Sequence, residues 1–302
     1  MIKTYLITGA SGNIGKVLAD QLLSANQKVT VIARNPEKLH ELAAKGATIL
    51  TGDVTNTEFM SRALEGLDAA FLMVPPNLAA EDQSLYGKQV RESYVTAVKK
   101  SGIKNVVLLS SLGTHNEDTT SIIEGLMEME KAFALLDGVN VLALRPAYFM
   151  ENIYWQINSI QQMGIMGSPV RGDLVMPMIA TRDIGIYAAK RLLALDFSEK
   201  SHQYLLGTRD TSYNELARIF GAAIGKPDLA YVAFPYDQAE QAMAQMMSAD
   251  AAKRMVQLAK DLSEGEALNH HLRDAESTTT TTIEEFAQWF AGAYKGAASA
   301  AV

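Results

Sequence analysis

The chain has 302 residues, 48% of them hydrophobic, with a formal net charge of −7 and no cysteine. This length suits one large α/β domain, or a nucleotide-binding domain with a smaller lobe. The lack of cysteine excludes disulfides, thiolate catalysis and cysteine-based metal sites, and the acidic balance argues against a general nucleic-acid-binding surface. Because the chain starts without a signal-peptide pattern and no apolar run reaches membrane-spanning length, we expect a cytoplasmic location and no membrane partner.

Strand and helix patterns alternate through the first half of the chain, which is typical of a parallel sheet with helices on both faces. The predicted strands are Ile2–Thr8, Lys28–Ala33, Thr48–Thr51, Ala69–Val74, Asn105–Ser110 and Val141–Arg145. The predicted helices are Ile14–Ser24, Pro36–Lys45, Thr57–Leu64, roughly Glu81–Ser101 and roughly Thr120–Leu136. The pattern predicts an α/β fold with a doubly wound parallel Rossmann sheet.

A glycine-rich loop follows the first predicted strand and leads into a helix. Glycine permits the sharp turn, the close approach of a pyrophosphate and the close packing of helix on strand. The unpaired N–H groups at the start of the helix would face the phosphates. A purely structural turn is the alternative. We predict that the loop binds a dinucleotide through Gly9, Ala10, Ser11, Gly12, Asn13, Ile14 and Gly15.

The second predicted strand ends at Ala33-Arg34, with no acid where an NAD enzyme carries a ribose-binding carboxylate. The guanidinium fork of Arg34 suits a 2′-phosphate, and Ser11, Asn13 and Lys38 can add donors to it. We therefore predict NADP as the cofactor, with NADPH preferred over NADH. The alternative is a solvated surface arginine.

Ligands of such sheets bind beyond the carboxyl ends of the strands. Asp53 can accept a hydrogen bond from the adenine amino group, or it can cap the helix that begins near Thr57. The sequence supports both interpretations equally. The same rule adds further cofactor-binding residues at the other strand ends. With Asp53, these are Val54, Val74, Pro75, Asn77, Ser110 and Pro146.

After Arg145 the alternation fades into a mixed pattern. We predict a loop over Gly164–Gly172 and strands at Gln203–Leu206 and Leu229–Phe234. The predicted helices begin at Thr181, cover Ser212–Gly225 and lie within Asp237–Gly265. A further helix N-cap is predicted at the end of Thr278–Thr282. The predicted domains are a dinucleotide-binding domain over 1–150, a smaller mixed α/β substrate lobe over 151–295 with some chain returning to the sheet, and a flexible tail over 296–302.

Two further groups of side chains in the second half suggest ligands, but we favour simpler interpretations. Helical spacing predicts that Met243, Met246, Met247 and Met255 pack in the core rather than line a ligand site. His270 and His271 are adjacent, so on a helix they point in different directions. We expect no metal.

Four segments together resemble the NmrA-like branch of the atypical short-chain dehydrogenase/reductases. They are Thr8–Gly15, Ala33–Lys38, Gly52–Val54 and Leu144–Asn152. The resemblance implies NAD(P)H-dependent reduction of quinones, dyes or imines, or a redox-sensing regulator that binds NADP without turnover. It also implies that the segment Leu144–Asn152 lies near the nicotinamide end of the cofactor.

The sequence departs from the acid–base machinery that is usual in the wider superfamily. No tyrosine has a lysine four residues later, and the nearest pattern is Tyr187 with Arg191. Many relatives place a lysine four residues before a glutamate, but here Leu126 precedes Glu130. The usual proton donor is therefore absent or relocated.

Five further residues are candidates for a role at the reacting end of the cofactor. Ser110 and Ser111 are candidate donors to a carbonyl, while Tyr148, Phe149 and Asn152 come from the segment Leu144–Asn152. Each has a structural alternative, as a cap, a core side chain or a partner of the backbone.

Without an acid–base pair, the sequence favours an acceptor whose reduced form is stabilised by resonance, because water can then protonate it. The first hypothesis is an NADPH-dependent oxidoreductase that reduces a small, apolar, conjugated substrate such as a quinone. The second is an NADP-binding redox-sensing regulator, and a sugar-nucleotide epimerase or dehydratase ranks last. A homodimer stays open as the oligomeric state.

Overall fold

The computed structural model describes residues 1–265, 268 and 273–300 of the chain. His270 and His271 lie outside the described residues, so the model does not bear on the prediction made for them. The fold divides into two compact units. The first comprises residues 1–114, 123–145 and 184–203, and the second comprises residues 115–122, 146–183 and those from 204 onward.

Strands and helices alternate along most of the described part of the chain. In chain order the strands are β1 (Thr4–Ile7), β2 (Lys28–Ala33), β3 (Thr48–Thr51), β4 (Ala69–Leu72), β5 (Asn105–Leu109), β6 (Asn140–Pro146), β7 (Tyr148–Phe149), β8 (Ile165–Ser168), β9 (Met176–Ile179), β10 (Lys200–Leu205), β11 (Asp210–Thr211) and β12 (Ala230–Ala233). The α-helices are α1 (Asn13–Ser24), α2 (His40–Ala44), α3 (Thr57–Leu64), α4 (Gln83–Ser101), α5 (Glu124–Ala134), α6 (Gln156–Met163), α7 (Thr181–Ala194), α8 (Tyr213–Ala223), α9 (Tyr236–Met243), α10 (Ala249–Ser263) and α11 (Ile283–Ala300). Short 3₁₀ helices cover Pro36–Leu39 and Met150–Trp155.

The central sheet has seven strands in the order β10-β6-β5-β4-β1-β2-β3. Neighbouring strands from β3 to β6 are parallel. Strand β10 runs in the same direction, since the N–H groups of Val141 and Ala147 donate to the carbonyls of Glu199 and Leu205 at 2.7 and 2.8 Å. The order of strands reverses between β1 and β4. The predicted doubly wound parallel sheet is therefore confirmed, and its switch point lies beside the glycine loop.

The bounds of β2, β3 and α3 agree with the sequence prediction. Strand β4 ends two residues early, because the Met73 N–H donates to Thr8 Oγ1 at 2.9 Å. The helix expected from Pro36 begins as a 3₁₀ turn that Asn35 caps. The helix expected from Thr120 begins only at Glu124.

The second unit contains a three-stranded sheet, β11-β9-β7, and the parallel pair β8 and β12. The prediction of a loop over Gly164–Gly172 is wrong for Ile165–Ser168, which form β8. This strand pairs with a segment more than sixty residues later, and its Gly167 leaves the space that the Phe234 ring fills. Helix α11 continues past Gly296 to Ala300, where the sequence predicts the start of a tail.

The core prediction for the four methionines is also wrong. None of Met243, Met246, Met247 and Met255 is fully buried, and Met246 is 83% exposed. Other methionines, such as Met176 and Met178, are buried in the core of this unit together with several aromatic rings. Phe220 and Phe290 pack edge to face with their ring centroids 4.8 Å apart, and Phe286 packs beside them.

Across the described part of the chain, none of the helices combines the length and the apolar composition that crossing a bilayer requires.

Candidate functional site

The glycine loop connects β1 to α1 through a tight turn in which the Gly12 N–H donates to the Gly9 carbonyl at 3.0 Å. Gly9 has a φ of +70°, a conformation that side chains disfavour. A Cβ on Gly15 would lie 2.4 Å from the Gly9 carbonyl oxygen, whereas a Cβ on Gly12 would keep 3.4 Å from it. Gly9 and Gly15 are therefore required by the backbone itself, and Gly12 is not.

Helix α1 begins without a cap. Its N-cap residue is Gly12, no side chain accepts from its first N–H groups, and its first turn has no acidic residue. Ser11, Gly12 and Asn13 are exposed, and the side chains of Ile14 and Ala10 are buried. An uncapped helix start with the positive end of its dipole open is suited to a phosphate group.

Arg34 and Asp53 lie at the ends of β2 and β3, and both are exposed. Among the described residues the Arg34 guanidinium makes no ion pair. Asp53 does not cap α3, since Asn56 accepts from the Phe59 N–H at 2.9 Å in that role. Asp53 Oδ1 instead accepts from the N–H and hydroxyl of Thr55, at 2.9 and 2.8 Å.

Tyr86, at the start of α4, lies near both Arg34 and Asp53. It was not among the site residues predicted from the sequence. Its hydroxyl donates to the Pro75 carbonyl at 2.9 Å. Burial raises the pKa of Tyr86, the nearby negative charge of Asp53 raises it further, and Arg34 lowers it. Arg34 and Asp53 thus lie near enough to this phenol to affect its pKa, and Pro75 accepts its hydrogen bond.

The loop after β4 carries the predicted residues Val74, Pro75 and Asn77, which are all partly buried. Its backbone is held by side chains: Thr8 accepts from the Met73 N–H, and the Tyr94 hydroxyl donates to the Met73 carbonyl at 2.8 Å. Gln83 donates to the Asn77 carbonyl at 2.8 Å. No sequence pattern indicates these supports, because a buried tyrosine on a helix resembles any other core residue.

The two serines after β5 already donate their hydroxyl hydrogens within the protein. Ser110 donates to Glu130 Oε1, and Ser111 donates to the Leu112 carbonyl at 2.9 Å. The sequence suggests that these hydroxyls donate to a carbonyl of the substrate. In this arrangement neither hydrogen is available for that role. Glu130 is the residue that lacks the lysine four positions earlier. It accepts the hydrogen bond that orients the Ser110 hydroxyl.

The segment Leu144–Asn152 begins within the last three residues of β6, which ends at the predicted Pro146. In the second unit, the partly buried Tyr148 has hydrogen-bond contacts with Tyr213 and Asn152. Burial raises the pKa of the Tyr148 phenol, and these two hydrogen bonds oppose part of the rise. The rings of Tyr148 and Tyr213 meet edge to face with centroids 6.2 Å apart.

Glu151, also in the segment, has a structural role. Its carboxylate accepts from the Thr181 N–H at 3.0 Å, at the start of α7. Burial raises the pKa of Glu151, while the hydrogen bonds from Thr181 lower it. Tyr187 and Arg191, the pair nearest to the missing motif, contact each other at 2.9 Å on α7, and Asp196 pairs with the same guanidinium.

A doubly wound parallel sheet, with an uncapped helix after a glycine turn at its switch point, defines a dinucleotide-binding protein of the Rossmann class. The model of the NmrA-like family matches residues 1–287. The chain belongs to this family.

Known proteins similar to this chain include enzymes and a regulator. The NAD(P)H azoreductase of Xenophilus azovorans is 28% identical over 241 residues, which cover 80% of each chain. The crystal structure of the NADPH-dependent quinone oxidoreductase of Escherichia coli with NADPH has a TM-score of 0.78 at 21% identity, covering 94% of this chain and 99% of that one. The structure of NmrA, a negative transcriptional regulator, with NADP has a TM-score of 0.74 at 14% identity, covering 98% and 97%. These two structural likenesses establish the fold alone.

Proposed function

We propose that this NAD(P)H-dependent oxidoreductase passes hydride from NADPH to a quinone or a similar small, apolar, conjugated acceptor. The observation that carries the proposal is the engagement of both serine hydroxyls after β5, by Glu130 and by the Leu112 carbonyl. Reduction of an unactivated ketone produces an alkoxide and needs a tyrosine whose pKa a lysine lowers, a pair that this chain lacks. A quinone gives a phenolate that resonance stabilises, so alignment with the nicotinamide supplies much of the rate.

The cofactor site supports NADPH as the hydride source. The uncapped start of α1 offers N–H groups to the pyrophosphate. Arg34, with Lys38 close by in sequence and Ser11 and Asn13 in the glycine loop, offers donors to a 2′-phosphate. Under this proposal Asp53 and Val54 hold the adenine, and Val74, Pro75, Asn77, Ser110 and Pro146 line the path to the nicotinamide.

The test of turnover mixes the purified protein with NADPH and a panel of quinones, and follows the absorbance of the reduced nicotinamide. We expect rapid oxidation of NADPH in the presence of the quinones. A simple aliphatic ketone is the control acceptor, and we expect that it is not reduced. An azo dye extends the panel to a second conjugated class. Reduction of the ketone at a rate similar to that of the quinones would contradict the proposal.

Tyr148 is the side chain that we propose as proton donor to the reduced acceptor, with Asn152 and Tyr213 as its supports. It stands two residues beyond Pro146, so its Cα lies within about 8 Å of the carboxyl end of β6. Contacts with Tyr213 and Asn152 would stabilise the phenolate that remains after proton transfer.

Replacing Tyr148 with phenylalanine is expected to lower kcat for quinones by about tenfold, a modest loss because water can protonate the product. The Kd for NADPH should stay within about twofold. Because burial raises the phenol pKa above its ordinary 10.0, the donor form persists at mildly alkaline pH. The kcat of the unmodified protein should therefore not fall between about pH 7 and 9. An unchanged kcat in the variant would remove Tyr148 from the mechanism.

The second candidate function is an NADP-binding regulator without turnover. The absence of a Tyr-x-x-x-Lys pair and the engaged serines are compatible with a protein that holds the cofactor and reduces nothing. Tight NADP binding, measured by fluorescence, together with no oxidation of NADPH by any acceptor of the panel would favour this candidate over the enzyme.

A further inference from the structure

Four polar side chains meet at the carboxyl ends of β5 and β6, and we call them the Glu130 cluster: Ser110, Thr114, Glu130 and Arg145. Glu130 Oε1 accepts from the Ser110 hydroxyl and lies 3.0 Å from both Thr114 Oγ1 and Arg145 Nε. Glu130 Oε2 accepts from Arg145 Nη2 at 2.5 Å. The carboxylate is therefore hydrogen-bonded through both of its oxygens.

The cluster is nearly closed to water. Ser110 and Thr114 are each 4% exposed, and the side chains of Arg145 and Glu130 are 14% and 15% exposed. His202 on β10 is a titratable neighbour, and its pKa is lowered by burial and by the charge of Arg145, against a smaller opposite effect of Glu130. The charges of Glu130 and Arg145 thus cancel within a poorly solvated region, where an imbalance acts strongly on nearby groups.

The cluster determines what Ser110 can offer to a ligand. A serine hydroxyl has one hydrogen and two lone pairs, and Glu130 takes the hydrogen. Ser110 is left with lone pairs, so it can accept a hydrogen bond but has no hydrogen to donate outward. Its complement is an N–H group of a ligand.

The sheet order identifies which part of the cofactor is nearby. Arg34, the proposed contact of the 2′-phosphate, follows β2 on one side of β1, whereas β4 and β5 lie on the other side. A dinucleotide bound across the switch point places its two nucleotides on these two sides. The nicotinamide therefore falls on the side of Ser110, and its carboxamide carries an NH₂ group.

We propose that Glu130 is a positioning residue for the nicotinamide: it turns Ser110 into an acceptor for the carboxamide NH₂, and its charge balances Arg145 beside the ring. This inference deepens the proposed function, because it assigns residues to the reactive half of the same cofactor. It also predicts an effect on redox state, since the ring is cationic in NADP⁺ and neutral in NADPH. A surplus positive charge nearby would disfavour the oxidised form.

The test compares the Kd values of NADPH, NADP⁺ and 2′-phospho-ADP-ribose, which has no nicotinamide, by fluorescence and calorimetric titration. Glu130→Gln removes the negative charge, leaves the charge of Arg145 in place and keeps a single oxygen for which Ser110, Thr114 and Arg145 compete. We expect it to weaken NADPH about tenfold and NADP⁺ about fivefold more, with 2′-phospho-ADP-ribose changed less than twofold. Ser110→Ala should weaken NADPH and NADP⁺ equally, by about fivefold, and also spare the truncated ligand.

Glu128→Gln is the matched control on the same helix, because Glu128 pairs only at 3.9 and 3.7 Å with Arg91 and Lys131. All three Kd values should stay unchanged in it.

Equal weakening of the three ligands by Glu130→Gln would mean that the cluster only supports the fold, and would overturn the inference. If that variant does not fold, Ser110→Ala decides: selective weakening of the two nicotinamide ligands supports the inference, and equal or no weakening overturns it. No acceptor is used, so a failure of quinone reduction leaves this result unaffected.

Discussion

Gly15→Ala is expected to abolish measurable NADPH binding and to destabilise the fold. The added Cβ would stand 2.4 Å from the carbonyl oxygen of Gly9, 2.7 Å from its carbonyl carbon and 2.8 Å from the Cα of Ala10. All three atoms belong to the backbone, so no rotamer change relieves the clash. The loop must move away from α1, which should cost about 1–3 kcal/mol of unfolding free energy and disturb the N–H groups that face the pyrophosphate.

Gly12→Ala is the matched control in the same loop. Its Cβ would keep 3.4 Å from the Gly9 oxygen, and its φ of −97° suits an alanine. We expect a Tm close to that of the unmodified protein, together with weaker NADPH binding, because the methyl group would occupy the approach of the phosphates. Thermal unfolding and fluorescence titration of both variants check the prediction. If Gly15→Ala bound NADPH normally, the loop would not be the cofactor site.

Arg34→Ala is expected to weaken NADPH about 100-fold and NADH less than threefold. The guanidinium is exposed and makes no ion pair among the described residues, so its donors are available to a 2′-phosphate. Only NADPH carries that group, which binds through charge-assisted hydrogen bonds. Fluorescence titration with the two cofactors measures the ratio of their Kd values.

Lys38→Ala is the comparison variant for this prediction. Lys38 is also exposed, and it stands on the 3₁₀ helix that follows Arg34. Because its ammonium is a point charge without a planar fork, we expect a smaller loss for NADPH, about threefold to tenfold. Equal losses for NADPH and NADH in the Arg34 variant would reject the assignment of the 2′-phosphate to this residue.

Local signals were sufficient to predict the sheet. The apolar runs at β2 and β3 and the pattern of α3 gave the correct bounds, because each segment carries its own periodicity and punctuation. The doubly wound class of the sheet followed from the alternation of strands with helices. The end of β4 was missed, since it depends on Thr8, a residue 65 positions earlier.

The parts that sequence reasoning missed depend on distant partners. Strand β8 is short and contains a glycine, and it is a strand only because β12 pairs with it. The cation of the Glu130 cluster was sought four residues before Glu130, where Leu126 stands. The structure supplies Arg145 from β6, fifteen residues later, and no helical spacing could have indicated that pairing.

Tyr86 and Tyr94 illustrate the same limit at the cofactor site. Their helix was predicted, but their hydroxyl contacts with Pro75 and Met73 follow from how α4 packs on the sheet. A pattern of apolar positions reports that a side chain is buried. It does not report which carbonyl its polar atom meets.

The return of residues 184–203 to the first unit has a practical consequence for attempts to divide the protein. A polypeptide cut after residue 150 would lack β10, so β6 would become an open edge with unsatisfied backbone groups. We expect such a fragment to aggregate through strand pairing between molecules, although it contains the whole glycine loop of the cofactor site. Swapping modules between homologues by a single crossover near that position would break the same sheet, and a successful chimera must exchange at least two separate stretches of the gene.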